Sequence, residues 1–322
     1  MKKSIKRYYA LTIAFFWKTA VDRLRGKGLQ RIWPLGPIYY WMTRTFKTYE
    51  WPEANTAHGH TIYTFPELRS TFAIWHGKED EAYFRLFAKE IPPGGTVADV
   101  GANIGYYALT FARIVGARGK VFSFEPEPEN LKYFRKNVEA NGYKNIVLVP
   151  KAVGNESGKT QLYLARHSGG HQIYDMRKAI ATMPKPEEHY RVFAEDRKKQ
   201  GDFEQSVPVD IVSLDDFFEG YDKPIDFIKI DVEGAEDGVI AGMKTILDKN
   251  PQTKIFFEFT PSLLKLRNAD PQTVLKIFID RGFKLYNMHD KKNEGCLEES
   301  ASIEELIGAC KENSGVDVFA KK

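Results

Sequence analysis

The stretch from residue 96 to residue 125, TVADVGANIGYYALTFARIVGARGKVFSFE, constrains the fold more than any other part of the chain. The apolar run Thr96–Val100 is typical of a buried parallel strand, and a glycine-rich turn follows it. Residues 104–115 then predict a helix, and 120–124 predict a second strand that ends at Glu125. A strand, a tight turn, a helix and a second strand form the βαβ unit of a doubly wound α/β fold.

The turn predicts contact with a small molecule through Asp99, Gly101, Asn103 and Gly105. Glycine at position 101 allows a sharp turn and a close approach of the backbone to a ligand, because it has no Cβ. The helix that follows has free N–H groups at its start. In a right-handed βαβ unit Glu125 would lie beside this turn, where its carboxylate can accept hydrogen bonds from both hydroxyls of a ribose. The unit therefore predicts a nucleoside site.

The spacing of the turn, D-x-G-x-N-x-G, differs from the G-x-G-x-x-G of dinucleotide sites. An acid at position 99 would repel a pyrophosphate, but it suits a ligand that carries an ammonium group. S-adenosylmethionine (SAM) carries an ammonium, a sulfonium and a ribose. SAM is therefore the predicted cofactor, and an NAD-dependent oxidoreductase is disfavoured. A Rossmann-like unit that binds another nucleotide, or none, is the alternative.

Three motifs, DVGANIGYYAL, FEPEPENLKYFRKNV and IKIDVEGAE, resemble those of the FkbM family of SAM-dependent methyltransferases. The resemblance covers roughly residues 75–290. It implies a class I methyltransferase fold, which is Rossmann-like with a doubly wound mixed sheet, and a hydroxyl acceptor, commonly on a sugar or polyketide. It also implies an acid over the SAM site near residue 79, matched by Glu79 or Asp80. Surface charges at a helix N-terminus are the alternative for both.

Strands alternate with helices through the rest of the chain, which predicts one doubly wound α/β domain. The further predicted strands of the sheet are Ile146–Pro150, Ile225–Asp231, Lys254–Phe259, Phe283–Met288 and Gly315–Ala320. The last two predict the antiparallel end of a mixed sheet, and residues 234–249 predict one helix. Ala152 and Val153 follow a strand end, and such a small apolar pair suits a flat adenine ring.

In an open α/β sheet ligands bind outside the carboxyl ends of the strands. By this rule, one edge of the sheet is expected to carry five acids: Asp99, Glu125, Asp231, Glu233 and Glu258. Methyl transfer to a hydroxyl requires alignment of the acceptor and removal of its proton. Asp231 is the first candidate for the base, because the fourth parallel strand of such sheets ends beside the transferable methyl.

Lys229, Glu233 and Glu258 are the second candidates for catalysis. A buried lysine paired with a neighbouring acid is the alternative for Lys229. A divalent metal held by Asp231, Glu233 and Glu258 is the alternative to a base, since oxygen ligands suit Mg²⁺. Glu236 and Asp237 are expected to face solvent or to cap a helix.

Residues 166–206 interrupt the domain with a polar, charged insertion near the predicted cofactor pocket, where a lid or an acceptor-binding element would lie. The insertion predicts a solvated helix around 187–200. His167 and His171 would face one another only on a helix, and the two glycines between them disfavour both a helix and a metal site there.

Residues 1–48 are basic and aromatic, and residues 1–74 form an N-terminal extension to a methyltransferase domain at 75–322. The apolar run Tyr8–Trp17 is too short to span a bilayer. A basic segment with interfacial aromatics suits a helix that lies on an anionic membrane face. Packing of these aromatics on the catalytic domain is the alternative. The net charge of +4 and the lack of a reading motif disfavour nucleic acid.

Two cysteines, without metal-type spacing, are typical of a protein in a reducing compartment, so a cytoplasmic location is expected, including the inner membrane face. The predicted function is O-methylation by SAM of a hydroxyl on a glycan, including a lipid-linked one, or on a polyketide-like acceptor. The alternatives are an N- or C-methyltransferase acting on a small metabolite, and a non-catalytic SAM-binding or scaffold protein at a membrane.

Overall fold

The computed structural model describes residues 54–55, 59–64, 81–165, 169–182, 190, 202–290, 297–310 and 315–322. Several of the predictions fall outside these residues: those for the stretch 1–48, for Glu79 and Asp80, for His167 and for a helix over 187–200. Among the described helices, none has the length and apolar content that crossing a membrane requires.

The described helices, labelled in chain order, are α1 (Glu81–Glu90), α2 (Tyr106–Val115), α3 (Pro128–Asn141), α4 (Met176–Thr182), α5 (Leu214–Phe217), α6 (Glu236–Ala241), α7 (Lys244–Lys249), α8 (Pro261–Leu266), α9 (Pro271–Ile279) and α10 (Ile303–Ala309). The described strands are β1 (Ala54–Asn55), β2 (Thr61–Ile62), β3 (Thr96–Val100), β4 (Lys120–Phe124), β5 (Ile146–Val149), β6 (Ala152–Val153), β7 (Gly158–Tyr163), β8 (Ser206–Val212), β9 (Phe227–Ile230), β10 (Lys254–Phe259), β11 (Lys284–Asn287) and β12 (Val316–Lys321).

A seven-stranded sheet in the order β11-β12-β10-β9-β3-β4-β5 forms the centre of the molecule. Strands β5, β4, β3, β9 and β10 run parallel, and β12 is antiparallel to both of its neighbours. The predicted antiparallel end is therefore confirmed for β12, whereas β11 runs in the same direction as the parallel strands. This mixed, doubly wound sheet is the α/β fold of class I methyltransferases, as the motifs implied.

Apolar side chains cover both faces of the sheet. On one face, under α1 and α2, aromatic rings dominate, including Phe87, Phe111, Phe227 and Phe319. On the other face, under α6, α7 and α9, branched aliphatic side chains are mixed with aromatic ones. Burying one such side chain stabilises the fold by about 1.5–3 kcal/mol, so the hydrophobic effect holds the helices against the sheet.

Some element boundaries differ from the prediction. β5 is the edge of the sheet, so three of its four residues are only half-buried. β8 pairs with both β6 and β7 in a separate three-stranded sheet.

The predicted helix over residues 234–249 is two helices, because Asp215 competes for its backbone N–H groups. Its carboxylate accepts hydrogen bonds from the N–H groups of Thr245 and Ile246, and its own N–H donates to the carbonyl of Gly242. These groups would otherwise bond within a continuous helix.

The short segment 59–64, which was predicted to belong to the N-terminal extension, is docked on α3. Asn141 exchanges hydrogen bonds with the backbone N–H and carbonyl of Thr61, and Asn137 does the same with Tyr63. Ile62 is fully buried between them. The end of the predicted extension is thus packed against the methyltransferase fold.

Candidate functional site

A cleft lies at the carboxyl ends of β3, β4 and β9, where the topology of the sheet predicts a ligand site. It holds about 770 Å³ of empty space, part of it open to solvent. The predicted residues that line it are Gly101, Asn103, Glu125, Ala152, Val153, Asp231 and Glu233.

Glu125 lines one side of the cleft and is held by three donors. Its Oε1 accepts from the N–H of Glu127 at 2.8 Å and from Nδ2 of Asn130 at 3.2 Å. Its Oε2 accepts from the N–H of Asn103 at 2.8 Å. A carboxylate has about four acceptor sites, so about one remains for a ligand rather than the two predicted for a ribose. Burial raises the pKa of Glu125 to about 7, although these hydrogen bonds oppose the shift.

Asn130 was missed by the sequence analysis, although it fixes the position of the Glu125 carboxylate. It also lines the cleft, as does Lys151. The N-cap of α3 brings it there, because Glu127 accepts a hydrogen bond from the N–H of Asn130. The sequence feature that could have indicated Asn130 is the spacing of an acid, a proline and an asparagine after the second strand.

Gly101 and Gly105 both have a left-handed backbone, and each is packed closely against neighbouring residues. A Cβ on Gly101 would lie 1.8 Å from the backbone oxygen of Asp231, so glycine here permits β3 and β9 to meet. A Cβ on Gly105 would lie 2.5 Å from the ring of Phe134. Gly105 begins α2 and does not line the cleft. Glycine is therefore required at both positions by close packing, and the approach of a ligand to Gly101 stays a prediction.

Asp99 lies beneath the cleft rather than in its wall. Its side chain is fully buried, and within the described part of the chain neither carboxylate oxygen has a hydrogen-bond partner. The nearest cation is Lys229, whose Nζ is 4.0 Å from Oδ1. Burial raises the pKa of Asp99 to about 6, against the opposing effect of Lys229. The predicted contact between Asp99 and an ammonium group in the cleft is thus replaced by a contact with a buried lysine.

Lys229 connects Asp99 to Asp231. Its ammonium lies 3.1 Å from Oδ2 of Asp231 and 4.7 Å from the centre of the Tyr107 ring. Burial alone would lower the pKa of Lys229, but Asp231 and Asp99 outweigh it and raise that pKa. A lysine held in its charged form has no lone pair, so this geometry favours the alternative of a paired, buried lysine over a base.

Asp231 is the charged residue best placed to act in the cleft. It follows directly after β9, and 42% of its side chain is exposed. Its Oδ2 is bound by Lys229, and its Oδ1 has no hydrogen-bond partner among the residues that the structure describes. Asp231 therefore combines a fixed position with an open acceptor atom.

The turn after Asp231 is held from inside the protein. Glu233 has a left-handed backbone, with φ of 54°, and lines the cleft. The carboxylate of Glu236 accepts hydrogen bonds from the N–H groups of Val232 and Gly234. Glu236 is almost fully buried, and burial raises its pKa to about 7. Of the two alternatives predicted for Glu236, exposure to solvent is wrong, because its side chain turns inward and caps backbone N–H groups just before α6. Asp237 instead pairs with Arg267.

Glu258 lies on the neighbouring strand and does not line the cleft. Its Oε1 accepts a hydrogen bond from the hydroxyl of Thr260. Burial raises the pKa of Glu258 to about 9, and repulsion from nearby carboxylates adds to this effect. Among these carboxylates, Asp231 has the largest effect. Burial and these carboxylates therefore favour the protonated form of Glu258. Asp231, Glu233 and Glu258 do not gather into a group able to hold a metal ion, and no such group exists among the described residues.

His289 and Asp317 form a pair that the sequence analysis missed. Nε2 of His289 lies 3.2 Å from Oδ2 of Asp317, and the hydroxyl of Tyr83 donates to the same oxygen at 2.7 Å. The hydrogen bond with Asp317 raises the pKa of His289. The sequence feature that could have indicated His289 is its position directly after the predicted strand Phe283–Met288. Nothing local to Asp317 indicated its partner.

The described part of the insertion lies over the cleft. Gly169, His171 and Ile173 line it, and Nδ1 of His171 accepts a hydrogen bond from the N–H of Ala165. Nε2 of Gln172 ties the segment to the carbonyl of Glu233 at 3.1 Å. The insertion therefore meets the site at the turn that follows Asp231.

The chemistry of the cleft fits SAM. The remaining acceptor site of Glu125 suits a ribose hydroxyl, and the small apolar Ala152 and Val153 suit an adenine ring. Asp231 and Glu233 supply negative charge on the β9 side, where a cation would be stabilised.

The chain is similar to several known proteins. The chain is 28% identical over 158 residues to the 2-O-methyltransferase NoeI of Sinorhizobium fredii. This alignment covers 49% of this chain and 60% of that protein. It is 38% identical over 60 residues to protein-L-isoaspartate O-methyltransferase 1 of Archaeoglobus fulgidus. That alignment covers 19% of this chain and 28% of the relative. These matches therefore span less than two thirds of the relatives' own lengths.

A crystal structure of a methyltransferase FkbM from Methylobacillus flagellatus aligns with a TM-score of 0.38 and 15% identity, covering 79% of this chain and 55% of that one. The sequence model of the methyltransferase FkbM domain matches residues 99–285, which is more than half of the chain. The protein therefore belongs to the FkbM family of SAM-dependent methyltransferases.

Proposed function

We propose that the protein transfers the methyl group of SAM to a hydroxyl of a glycan acceptor. The observation that carries this proposal is the pairing, across one cleft, of a nucleoside anchor at Glu125 with an open carboxylate at Asp231. Similarity to a 2-O-methyltransferase supports the choice of a hydroxyl acceptor.

Bound SAM supplies a methyl group on a sulfonium sulfur, and the neutral thioether that remains is a good leaving group. The residues of the chain have to bind SAM and the acceptor, align the two, and remove the proton of the acceptor hydroxyl. Glu125 holds a ribose hydroxyl, and Asp231 accepts the hydrogen bond and then the proton of the acceptor hydroxyl. Lys229 keeps Asp231 in place through their 3.1 Å contact. His171 and Ile173, at the insertion side of the cleft, limit the access of water.

The proposal includes a location at the inner membrane face, through the basic and aromatic residues 1–48. Its test is the partition onto vesicles that contain anionic lipid, compared between the full chain and a variant that lacks residues 1–48. Equal partition of the two would remove membrane contact from the proposal and leave the catalytic part unchanged.

The acceptor class is tested with trideuteromethyl-SAM and methyl glycosides of common hexoses and 6-deoxyhexoses. Octyl glycosides of the same sugars serve as lipid-linked mimics. Mass spectrometry detects the transferred group, and NMR assigns the methylated atom. Transfer to oxygen supports the proposal, whereas transfer to nitrogen or carbon would replace it. Binding of SAM without transfer to any glycoside would favour the scaffold alternative.

Replacing Glu125 with alanine is expected to weaken SAM binding about tenfold or more, because a charged hydrogen-bond anchor contributes roughly 1.5–3 kcal/mol. Calorimetric titration with SAM, and separately with NAD, measures this. Glu156→Ala is the matched control, since Glu156 is exposed and does not line the cleft. Binding of NAD but not SAM by the wild type would contradict the assignment of the cofactor.

SAM affinity is also expected to depend on pH through Glu125. The carboxylate binds a ribose hydroxyl as an acceptor, and burial raises its pKa to about 7. Affinity should therefore increase as pH rises through about 7, by up to about tenfold between pH 6 and pH 8. Titrations across this range measure it, and Glu125→Gln should remove most of the dependence. An unchanged dependence in that variant would assign the effect to another group, such as Asp99.

A further inference from the structure

The peptide unit that follows Asp231 is held at both of its ends by the central fold. Its carbonyl, on Asp231, packs against Gly101, where a Cβ would lie 1.8 Å from the oxygen. Its N–H, on Val232, donates to Oε1 of Glu236 at 3.1 Å. The turn after β3 and the helix α6 therefore fix the start of the turn that carries Asp231.

The peptide unit between Glu233 and Gly234 is also held at both ends, but one of the two contacts comes from the insertion. Its N–H, on Gly234, donates to the same oxygen of Glu236 at 3.2 Å. Its carbonyl, on Glu233, accepts from Nε2 of Gln172 at 3.1 Å. Glu233 has a φ of 54°, a left-handed conformation that a non-glycine residue keeps only where its surroundings enforce it. Gln172 and Glu236 together supply that enforcement.

Gln172 is built into a fixed position of its own. Its N–H and carbonyl exchange hydrogen bonds with the carbonyl and N–H of Tyr163, at 3.1 and 2.7 Å. Its neighbours His171 and Ile173 line the cleft and Gln172 does not, as expected for an extended segment whose side chains alternate in direction. Gln172 therefore lies behind the part of the cleft wall that the insertion forms.

The amide of Gln172 is only 3% exposed, and its Oε1 has no hydrogen-bond partner in the part of the chain that the structure describes. Burying an amide costs free energy, which a single hydrogen bond offsets only in part. An apolar side chain would fill the same space without that cost. The contact from Nε2 to Glu233 is therefore the feature that distinguishes glutamine from an apolar residue at this position.

The insertion meets the same turn at a second point and is anchored beside it. A Cβ on Gly234 would lie 2.8 Å from the hydroxyl of Tyr174. Further along the insertion, Met176 and Ile180 of α4 are buried in one apolar cluster with Leu266 of α8. The segment that carries Gln172 is thus supported from below and does not depend on Gln172 alone for its position.

We propose that Gln172 is a positioning residue for the acceptor: it holds the peptide unit after Glu233, so that Glu233 stays in the wall of the cleft beside Asp231. This inference rests on the proposed O-methylation. Glu233 then accepts a hydrogen bond from the acceptor next to the hydroxyl that gives its proton to Asp231. The insertion contributes His171 and Ile173 to the wall of the cleft and, through Gln172, sets the part of the wall that belongs to the central fold.

The first test compares the wild type with Gln172→Met, which keeps the length of the side chain but has no donor. We expect kcat/KM for the acceptor glycoside to fall about tenfold to 100-fold, with KM raised, because a small displacement of a positioning group has an effect of this size. SAM affinity should stay nearly unchanged, since Glu125, Ala152 and Val153 are untouched. A general loss of stability would instead lower Tm and leave KM as it is.

Gln161→Met is the matched control, because Gln161 is exposed on β7 and does not line the cleft. It should change neither kcat nor KM. Gln172→Asn is a second variant, which keeps the amide but shortens the side chain by one methylene and so withdraws the donor. It should show the same losses as Gln172→Met, and thermal unfolding confirms that each variant folds.

A double-mutant cycle tests whether Gln172 acts through Glu233. Glu233→Gly removes the carboxylate, and glycine adopts the left-handed backbone without a residue that enforces it. If Gln172 acts through Glu233, adding Gln172→Met to Glu233→Gly should lower kcat/KM no further, since effects transmitted through one contact are not additive. Fully additive losses would overturn the proposal, as would wild-type kcat/KM in Gln172→Met or an equal loss in Gln161→Met.

Hydrogen exchange, followed by mass spectrometry, supplies a readout that does not depend on turnover. The fragment that spans residues 231–236 should exchange faster in Gln172→Met than in the wild type and in Gln161→Met. If the wild type methylates no glycoside, the proposed function fails, and this exchange then decides the role of Gln172 separately. Faster exchange confined to that fragment supports the positioning role, and unchanged exchange overturns it.

Discussion

Replacing Asp231 with asparagine is expected to lower kcat by about 10²- to 10⁴-fold, the usual contribution of a positioned proton acceptor. Asparagine keeps the shape of the side chain but cannot take the proton of a hydroxyl. SAM affinity should fall by about tenfold at most, because Glu125 and the apolar wall at Ala152 and Val153 are unchanged. Steady-state kinetics and calorimetric titration together measure the two effects.

Asp237→Asn is the matched control for this experiment. Asp237 is also an ion-paired aspartate, with Arg267 at 2.9 Å, but it does not line the cleft. Its substitution should leave kcat within about twofold of the wild type, because Asp237 does not line the cleft and cannot take the proton of the acceptor there. A kcat for Asp231→Asn within about threefold of the wild type would show that Asp231 is not the proton acceptor.

Replacing Gly101 with alanine is expected to destabilise the fold by roughly 3–5 kcal/mol, through overpacking and backbone strain together. The new Cβ would lie 1.8 Å from the backbone oxygen of Asp231, at a φ of 78° that alanine rarely adopts. For a domain of this size each kcal/mol lowers Tm by about 2–4 °C, so a fall of roughly 10 °C is expected. SAM binding should also be lost, because β3 and β9 can no longer meet at the cleft.

Gly142→Ala separates backbone strain from the clash. Gly142 ends α3 with a φ of 72°, but a Cβ there would meet no atom within 4 Å. Its substitution should cost only about 1 kcal/mol. Calorimetric unfolding of both variants measures the difference. Equal losses would mean that the contact between Gly101 and Asp231 is not tight, and that strain alone explains the effect.

The sequence by itself determined the βαβ unit at 96–125, the class of the fold and the rim on which the acids lie. These features depend on local periodicity and on the rule that parallel strands end at one edge, so short-range patterns are sufficient. Glu125 and Asp231 lie in the cleft for this reason. Two helix ends are likewise local: Gly142 is the C-cap of α3, and Ser213 is the N-cap of α5.

Only the tertiary structure decided which partners these residues have. Lys229 pairs with Asp99, 130 positions away along the chain, Asp215 divides a predicted helix by binding Thr245 and Ile246, and His289 meets Asp317 across two strands. Register and burial set these contacts, and neither is written in a short window of sequence. The inward turn of Glu236 and the contact between Gly101 and Asp231 have the same origin. Composition and spacing located the acids, whereas packing determined which of them are charged, neutral or open to a ligand.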